Sequence, residues 1–203
     1  MIAILDAAER VGLLPLATQP LHTIAYFADA LGPVWGLRIL DAQLLKRREG
    51  PLSPTFQRDV DTLVGQGVVV PQDVSYVLDD DGNCRLRASY SLNRSFAEPI
   101  LRRAQDLPTQ AEELNFIREV VFAVSGLGVQ ELSTASSSDA TYGDELIDFG
   151  AVLDLTAWNR KPNPSVRVAL RFGELMQPEL HLSDAEMIHL YVRELYRRLS
   201  HAA

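Results

Sequence analysis

The stretch from Ser53 to Leu92 constrains the fold most, because a strong helix start is followed there by two runs of strand character. Ser53 offers a hydroxyl to the exposed amides of a first turn, and Pro54 stands where its missing N–H costs nothing. Phe56, Val60, Leu63 and Val64 then form one helical stripe that ends near Gly65 to Gly67. Residues 68–79 read as a strand interrupted near Pro71, and Asp80 to Asn83 read as a turn. Over 84–92 the alternation is clean: Cys84, Leu86, Ala88, Tyr90 and Leu92 share one face, expected to point inward, and Arg85, Arg87, Ser89 and Ser91 share the other.

Upstream, residues 2–11 read as a short helix stopped by Gly12, and Leu13-Leu14-Pro15-Leu16 reads as an extended apolar strap. Leu21, Ile24, Ala28 and Leu31 recur at helical spacing before Gly32-Pro33 stops the pattern and a short Val34-Trp35 pair follows. Leu37, Leu40 and Leu44 predict a second helix from Leu37 to about Arg47, closed by Gly50-Pro51. Helix, short extended pair, helix, tight turn, helix, strand, turn, strand is the element order of a winged helix. The expected fold class is therefore α+β, mainly helical, with a winged helix and additional C-terminal helices.

Those additional helices are expected over Ser95 to Asp106 and Thr109 to Ser125, the second with a stripe wide enough for a central position. Ser133 to Asp144, with four serines and no aliphatic side chain beyond alanine, reads as a flexible loop. Residues 145–173 admit two readings: Val166, Val168, Leu170 and Phe172 alternate as in a strand, whereas Leu146, Phe149, Leu153 and Ala157 suit a helix. Ser183 and Glu186 form a capping box ahead of a last helix with Ile188, Tyr191, Leu195 and Leu199 on one face, and Arg193, Arg197 and Arg198 suit its negative end. At 203 residues, the expected division is an N-terminal arm and winged-helix unit over 1–94 and a helical extension or second small winged-helix-like unit over 95–203.

Several function classes are disfavoured by what the chain lacks. One cysteine, Cys84, excludes an internal disulfide framework and a cysteine-based zinc site, and points to a reducing compartment. No secretory signal pattern opens the chain and no apolar run approaches membrane-spanning length, so a cytoplasmic protein without membrane contact is expected. Lys46 and Lys161, the two lysines, follow no glycine-rich phosphate loop, and the four histidines are dispersed. Val124-Ser125-Gly126 lacks the preceding glycine of a nucleophile elbow. Acidic residues such as Asp148 and Asp154 raise the reading of a metal-dependent nuclease, but they lack a nearby Glu-x-Lys strand element and a solvated acidic face is the favoured explanation. The expectation is a non-catalytic protein with no cofactor and no metal.

A net charge of −8 repels nucleic acid, so any DNA contact has to come from a local basic patch. Lys46, Arg47, Arg48, Arg58, Arg85 and Arg87 are the candidates for contact with DNA or an acidic partner. They also have a structural reading, as cations at a helix C-terminus and as partners of Asp79 to Asp81 across the hairpin. The third helix carries Asp59 and Asp61 against Arg58, a poor composition for entering a major groove. Leu13, Leu14 and Leu16 of the strap, with Tyr191 and Leu195 of the last helix, are the candidates for partner binding.

Over Leu5 to Val70 the sequence resembles the middle component of bacterial three-component ABC systems, the group that includes the Lamassu defence C subunit. The likeness lies in Leu5-Asp6-Ala7-Ala8-Glu9-Arg10-Val11-Gly12 with Leu13-Leu14-Pro15-Leu16, then the helix of His22 and Ala30-Leu31-Gly32-Pro33-Val34-Trp35. It continues through Leu44-Leu45-Lys46-Arg47-Arg48 and Gln57-Arg58-Asp59-Val60-Asp61. This resemblance implies an accessory winged-helix subunit, akin to the kite-shaped subunits of condensin-like complexes. Such a subunit assembles with an SMC-like or Rad50-like ATPase and a separate effector, often a nuclease, in defence against phage or plasmids, with DNA touched through the complex. It carries no catalytic residues to transfer. The alternative is a winged-helix transcription regulator that binds DNA itself.

Overall fold

The computed structural model describes residues 1–37, 43–78, 82, 84–158, 161–175 and 181–202. Among them are eight α-helices and five strands: α1 (Ile2–Arg10), β1 (Leu16–Ala17), α2 (Thr18–Leu31), β2 (Gln43–Leu45), α3 (Pro54–Gly65), β3 (Val69–Leu78), β4 (Cys84–Leu92), α4 (Arg94–Gln105), α5 (Pro108–Val124), α6 (Val129–Thr134), β5 (Val152–Asp154), α7 (Pro164–Leu175) and α8 (Asp184–Ala202). The class is α+β, mainly helical, with one small antiparallel sheet of order β1-β4-β3 and a separate β2-β5 pair. No described helix is long and apolar enough to cross a membrane.

α2 and α5 are central, as their apolar residues on more than one face require. Leu21, Ile24, Phe27, Ala30 and Leu31 of α2, and Val120, Val121 and Val124 of α5, lose essentially all contact with water. α1 and α8 pack on α5, and Leu5, Ala8, Ile188, Tyr191 and Leu195 complete the same core. This core runs through both halves of the chain, so the division at 94/95 corresponds to no break in packing. Ion pairs bridge the halves as well. Arg94 reaches Asp6 at 2.7 Å and also pairs with Glu9. Burial pushes the Asp6 carboxyl up, but hydrogen bonds from Arg10 and Arg94 outweigh that and hold it below its ordinary value.

Helix ends follow their sequence signals. The Ser53 hydroxyl accepts from the Phe56 amide at 3.0 Å, and Ser183 with Glu186 closes the capping box in both directions. Arg197 and Arg198 both pair with Glu194, one turn back, rather than with the end of α8.

Five local expectations are overturned. The helix expected from Leu37 to Arg47 does not exist over 43–45, where β2 pairs antiparallel with Leu153 opposite Leu44; residues 38–42 lie outside the described set. Leu44 and Lys46 point inward and Gln43 outward, a period of two that three leucines at helical spacing mask. The Val34-Trp35 pair belongs to a 3-10 turn, Gly32–Trp35, and the third strand of the sheet comes from Leu16–Ala17 instead, paired with Tyr90 and Ser89. Pro71 does not interrupt β3: it sits opposite Tyr90 on an edge strand, where a missing N–H removes no ladder bond. The irregularity comes later, between Gln72 and Ser75, where Asp73 has a φ of 50°.

Residues 145–173 reverse both readings. Val166 to Phe172 lie in α7, whereas Leu146 to Ala157 form a loop, β5 and a 3-10 turn. The stretch Ser133 to Asp144 is not a flexible loop, because Ala135, Ser136, Asp139, Thr141 and Tyr142 are buried.

Candidate functional site

Asp139 explains how a serine-rich segment comes to be interior. Only 2% exposed, it accepts hydrogen bonds from the Tyr26 hydroxyl, the Tyr191 hydroxyl at 2.5 Å, the Ser165 hydroxyl at 2.9 Å and the Thr141 and Tyr142 amides at 2.8 and 2.9 Å. Thr141 and Ser165 bond each other at 2.6 Å, and Asn163 ties the cluster to the Ala30 carbonyl at 2.8 Å. One carboxylate thus joins α2, the 139–142 turn, the start of α7 and α8. A buried charge without a counter-ion is tolerated when this many donors surround it. Saturated in this way, Asp139 acts as a structural knot.

Alkali should expose the network. Burial first, and then the charge and hydrogen bond of Asp139, raise Tyr26 and Tyr191 well above the ordinary tyrosine value of 10.0. Burial also raises Tyr142, to about 12. The unfolded chain releases these phenolic protons near pH 10 while the native state retains them, so the stabilisation is complete below about pH 10 and falls as pH rises above it. Urea midpoints measured from pH 8 to 11 should drop above pH 10, and Tyr26→Phe and Tyr191→Phe should each flatten that drop. An unchanged slope in both variants would remove the network as its cause.

The predicted site residues are distributed over three places. Lys46 is only 3% exposed, its ammonium donating to the Asp144 and Ile147 carbonyls at 2.6 and 2.8 Å and lying 5.2 Å from the centre of the Phe149 ring. It therefore clamps the 144–149 loop and is not a surface contact for DNA. Arg47 is mostly buried beside Glu49, whereas Arg48 is exposed and stacks on Phe149 at 5.0 Å. Arg58 is exposed on α3; Arg87 is exposed and Arg85 half-buried on β4. Among the partner-binding candidates, Leu16, Tyr191 and Leu195 are interior, and Leu13 and Leu14 pack half-buried on the same core. Burial takes Leu16, Tyr191 and Leu195 out of any partner surface, whereas Leu13 and Leu14 keep part of their surface in water.

Exposed apolar side chains lie at several places, Phe122, Leu146 and Leu175 among them, and a set of them shares one side of the outer half of the β3–β4 hairpin. Tyr76 faces Leu86 and Leu78 faces Cys84 in the ladder, so the four share one side. Tyr76 is 75% exposed, Leu78 74% and Leu86 50%, and Cys84 is exposed too. The inward alternation expected for 84–92 thus holds only for Ala88, Tyr90 and Leu92. The reason is length. A ten-residue strand spans about 33 Å, whereas a twelve-residue helix such as α3 spans about 18 Å, so the hairpin outruns the helices that could cover it. Comparing strand and helix lengths was the sequence signal available for this arm.

A cavity of about 310 Å³ opens between the 46–50 segment and residues 133–149, lined by Lys46, Arg48, Ser137, Tyr142 and Phe149 among others. Sequence reasoning treated the basic run and the serine segment as unrelated; the β2–β5 pairing brings them together. Gly143 makes the close approach workable, since a Cβ there would meet the Asp139 and Ser137 carbonyl oxygens at 2.6 Å.

Two of the histidines tie separate segments together. His22 receives the Ser53 amide at Nδ1 and contacts Gln57 through Nε2 at 2.9 Å, and His189 meets Glu119 at 3.0 Å. Asp154 accepts from the amide and hydroxyl of Thr156, a local turn. Among the described residues no group of three or more histidine, cysteine or acidic side chains could hold a metal ion. Comparison with protein-family models, curated proteins and solved structures returns no match to this chain.

Proposed function

We propose that this chain is a non-catalytic accessory subunit that docks a protein partner through the outer half of its β3–β4 arm. The observation that carries the reading is the apolar face of Tyr76, Leu78 and Leu86, held in water on a chain whose core is otherwise well filled. Exposed apolar side chains that lie together on one face are a mark of a protein interface. The sequence resemblance supplies the partner class: an SMC-like or Rad50-like ATPase, with an effector nuclease, in a bacterial anti-phage or anti-plasmid complex in which DNA is reached through the assembly. The hairpin following α3 would serve as the wing of a winged helix, with β1 providing the third strand. Purification of the tagged chain expressed with its native genomic neighbours, followed by size exclusion and mass spectrometry, is expected to yield a stable complex with a coiled-coil ATPase. A lone dimer retaining its own promoter DNA would replace this reading with the regulator.

A further inference from the structure

The cavity between residues 46–50 and 133–149 carries a charge imbalance that the fold does not resolve. The Lys46 ammonium is buried, yet no carboxylate lies within ion-pairing distance among the described residues. Two of its three protons go to backbone carbonyls; aromatic rings, Phe149 at 5.2 Å and Tyr142 at 5.9 Å, supply the remaining neighbours. A buried cation is costly without an anion, and carbonyl dipoles with ring faces compensate it only in part. Arg48 lines the same cavity, exposed, over the same Phe149 ring and with no ion pair among the described residues. Glu145 and Asp148 also line it and are exposed to solvent, whereas the buried charge among its lining is that of Lys46.

From this geometry we infer that the cavity binds a small molecule bearing a phosphate group. The third Lys46 proton and the Arg48 guanidinium are the donors, the latter with the fork that matches phosphate oxygens. The volume is that of a small-ligand site and excludes a folded partner. The exposed Phe149 ring adds an apolar wall for the remainder of the molecule. This site is independent of the arm, so a partner complex neither requires nor excludes it.

Calorimetric titration of the full chain with inorganic phosphate, adenosine monophosphate, adenosine and acetate tests the assignment. Phosphate and the nucleotide should bind in a saturable way, and adenosine and acetate should not. Arg48→Gln, an exposed position, should leave the melting temperature unchanged and weaken phosphate binding about tenfold or more, the effect of one lost charged hydrogen bond. Lys46→Gln should abolish it, but because Lys46 also holds the 144–149 loop, the Arg48 variant decides. Absence of phosphate and nucleotide binding, equal binding of acetate, or binding untouched by Arg48→Gln would each overturn the site.

Discussion

Asp139→Ala is expected to lower the unfolding free energy by about 3–5 kcal/mol, the cost of breaking a buried charged network by removing one member. The substitution strands two tyrosine hydroxyls and the Tyr142 amide in the interior without that acceptor, and leaves the Thr141 amide and the Ser165 hydroxyl only their bonds to each other's side chains. Since domains of this kind are stable by roughly 5–15 kcal/mol, a loss of this size leaves a chain close to its unfolding threshold. Urea denaturation should show a lower midpoint with an unchanged slope. Tyr26→Phe and Tyr191→Phe should each cost less, because each removes one donor to Asp139, Tyr191 also an acceptor for the Ala140 amide, and their double variant should deviate from additivity since both donate to the same carboxylate. A loss below about 1 kcal/mol for Asp139→Ala would mean that the turn relaxes and admits water, so that the network is not the tie between α2, α7 and α8.

The second large effect concerns association. Tyr76→Ser combined with Leu86→Ser should leave the urea midpoint nearly unchanged, within about 0.5 kcal/mol, because both side chains already face water. In the partner complex the same pair should weaken binding by a factor of about thirty or more, the loss of a central aromatic-aliphatic anchor. Arg87→Gln, on the opposite face of the hairpin, serves as the contrast and should cost little. The quantity to measure is the dissociation constant of the purified chain for the co-purified partner. Full affinity in the double variant would remove the arm as the docking element; a large loss with Arg87→Gln alone would shift the contact to the cationic face and favour an acidic or nucleic-acid ligand.

The legible parts of the sequence were those in which local signals agree. α1, α2, α3, α4, α5 and α8 each combine helical spacing with a proline, glycine or hydroxyl at an end, and the β3–β4 pair follows from alternation. The candidate site was less legible for two reasons. Lys46 and Arg48 lie two residues apart, yet one is buried and the other exposed, because β2 ends at Leu45 and the chain turns at 48–49, which breaks the alternation that would have put both on one side. Tyr191 and Leu195 are unavailable to a partner for another reason: an apolar stripe states that a residue will be buried without stating against what, and α8 buries both on α5 and the Asp139 turn.

By itself the sequence determined the class of the protein, the ends of its strongest helices and the existence of the hairpin, since these depend on periods and caps that operate within a few residues. Tertiary structure alone decided the rest. It joined β2 to β5 across more than a hundred residues, made an interior from a serine-rich segment by setting Asp139 among five donors, and left the end of the arm in water. Each of those outcomes depends on what lies opposite a residue in space. Strand pairing, polar satisfaction and coverage are properties of pairs of segments, and no local pattern specifies the second member of the pair.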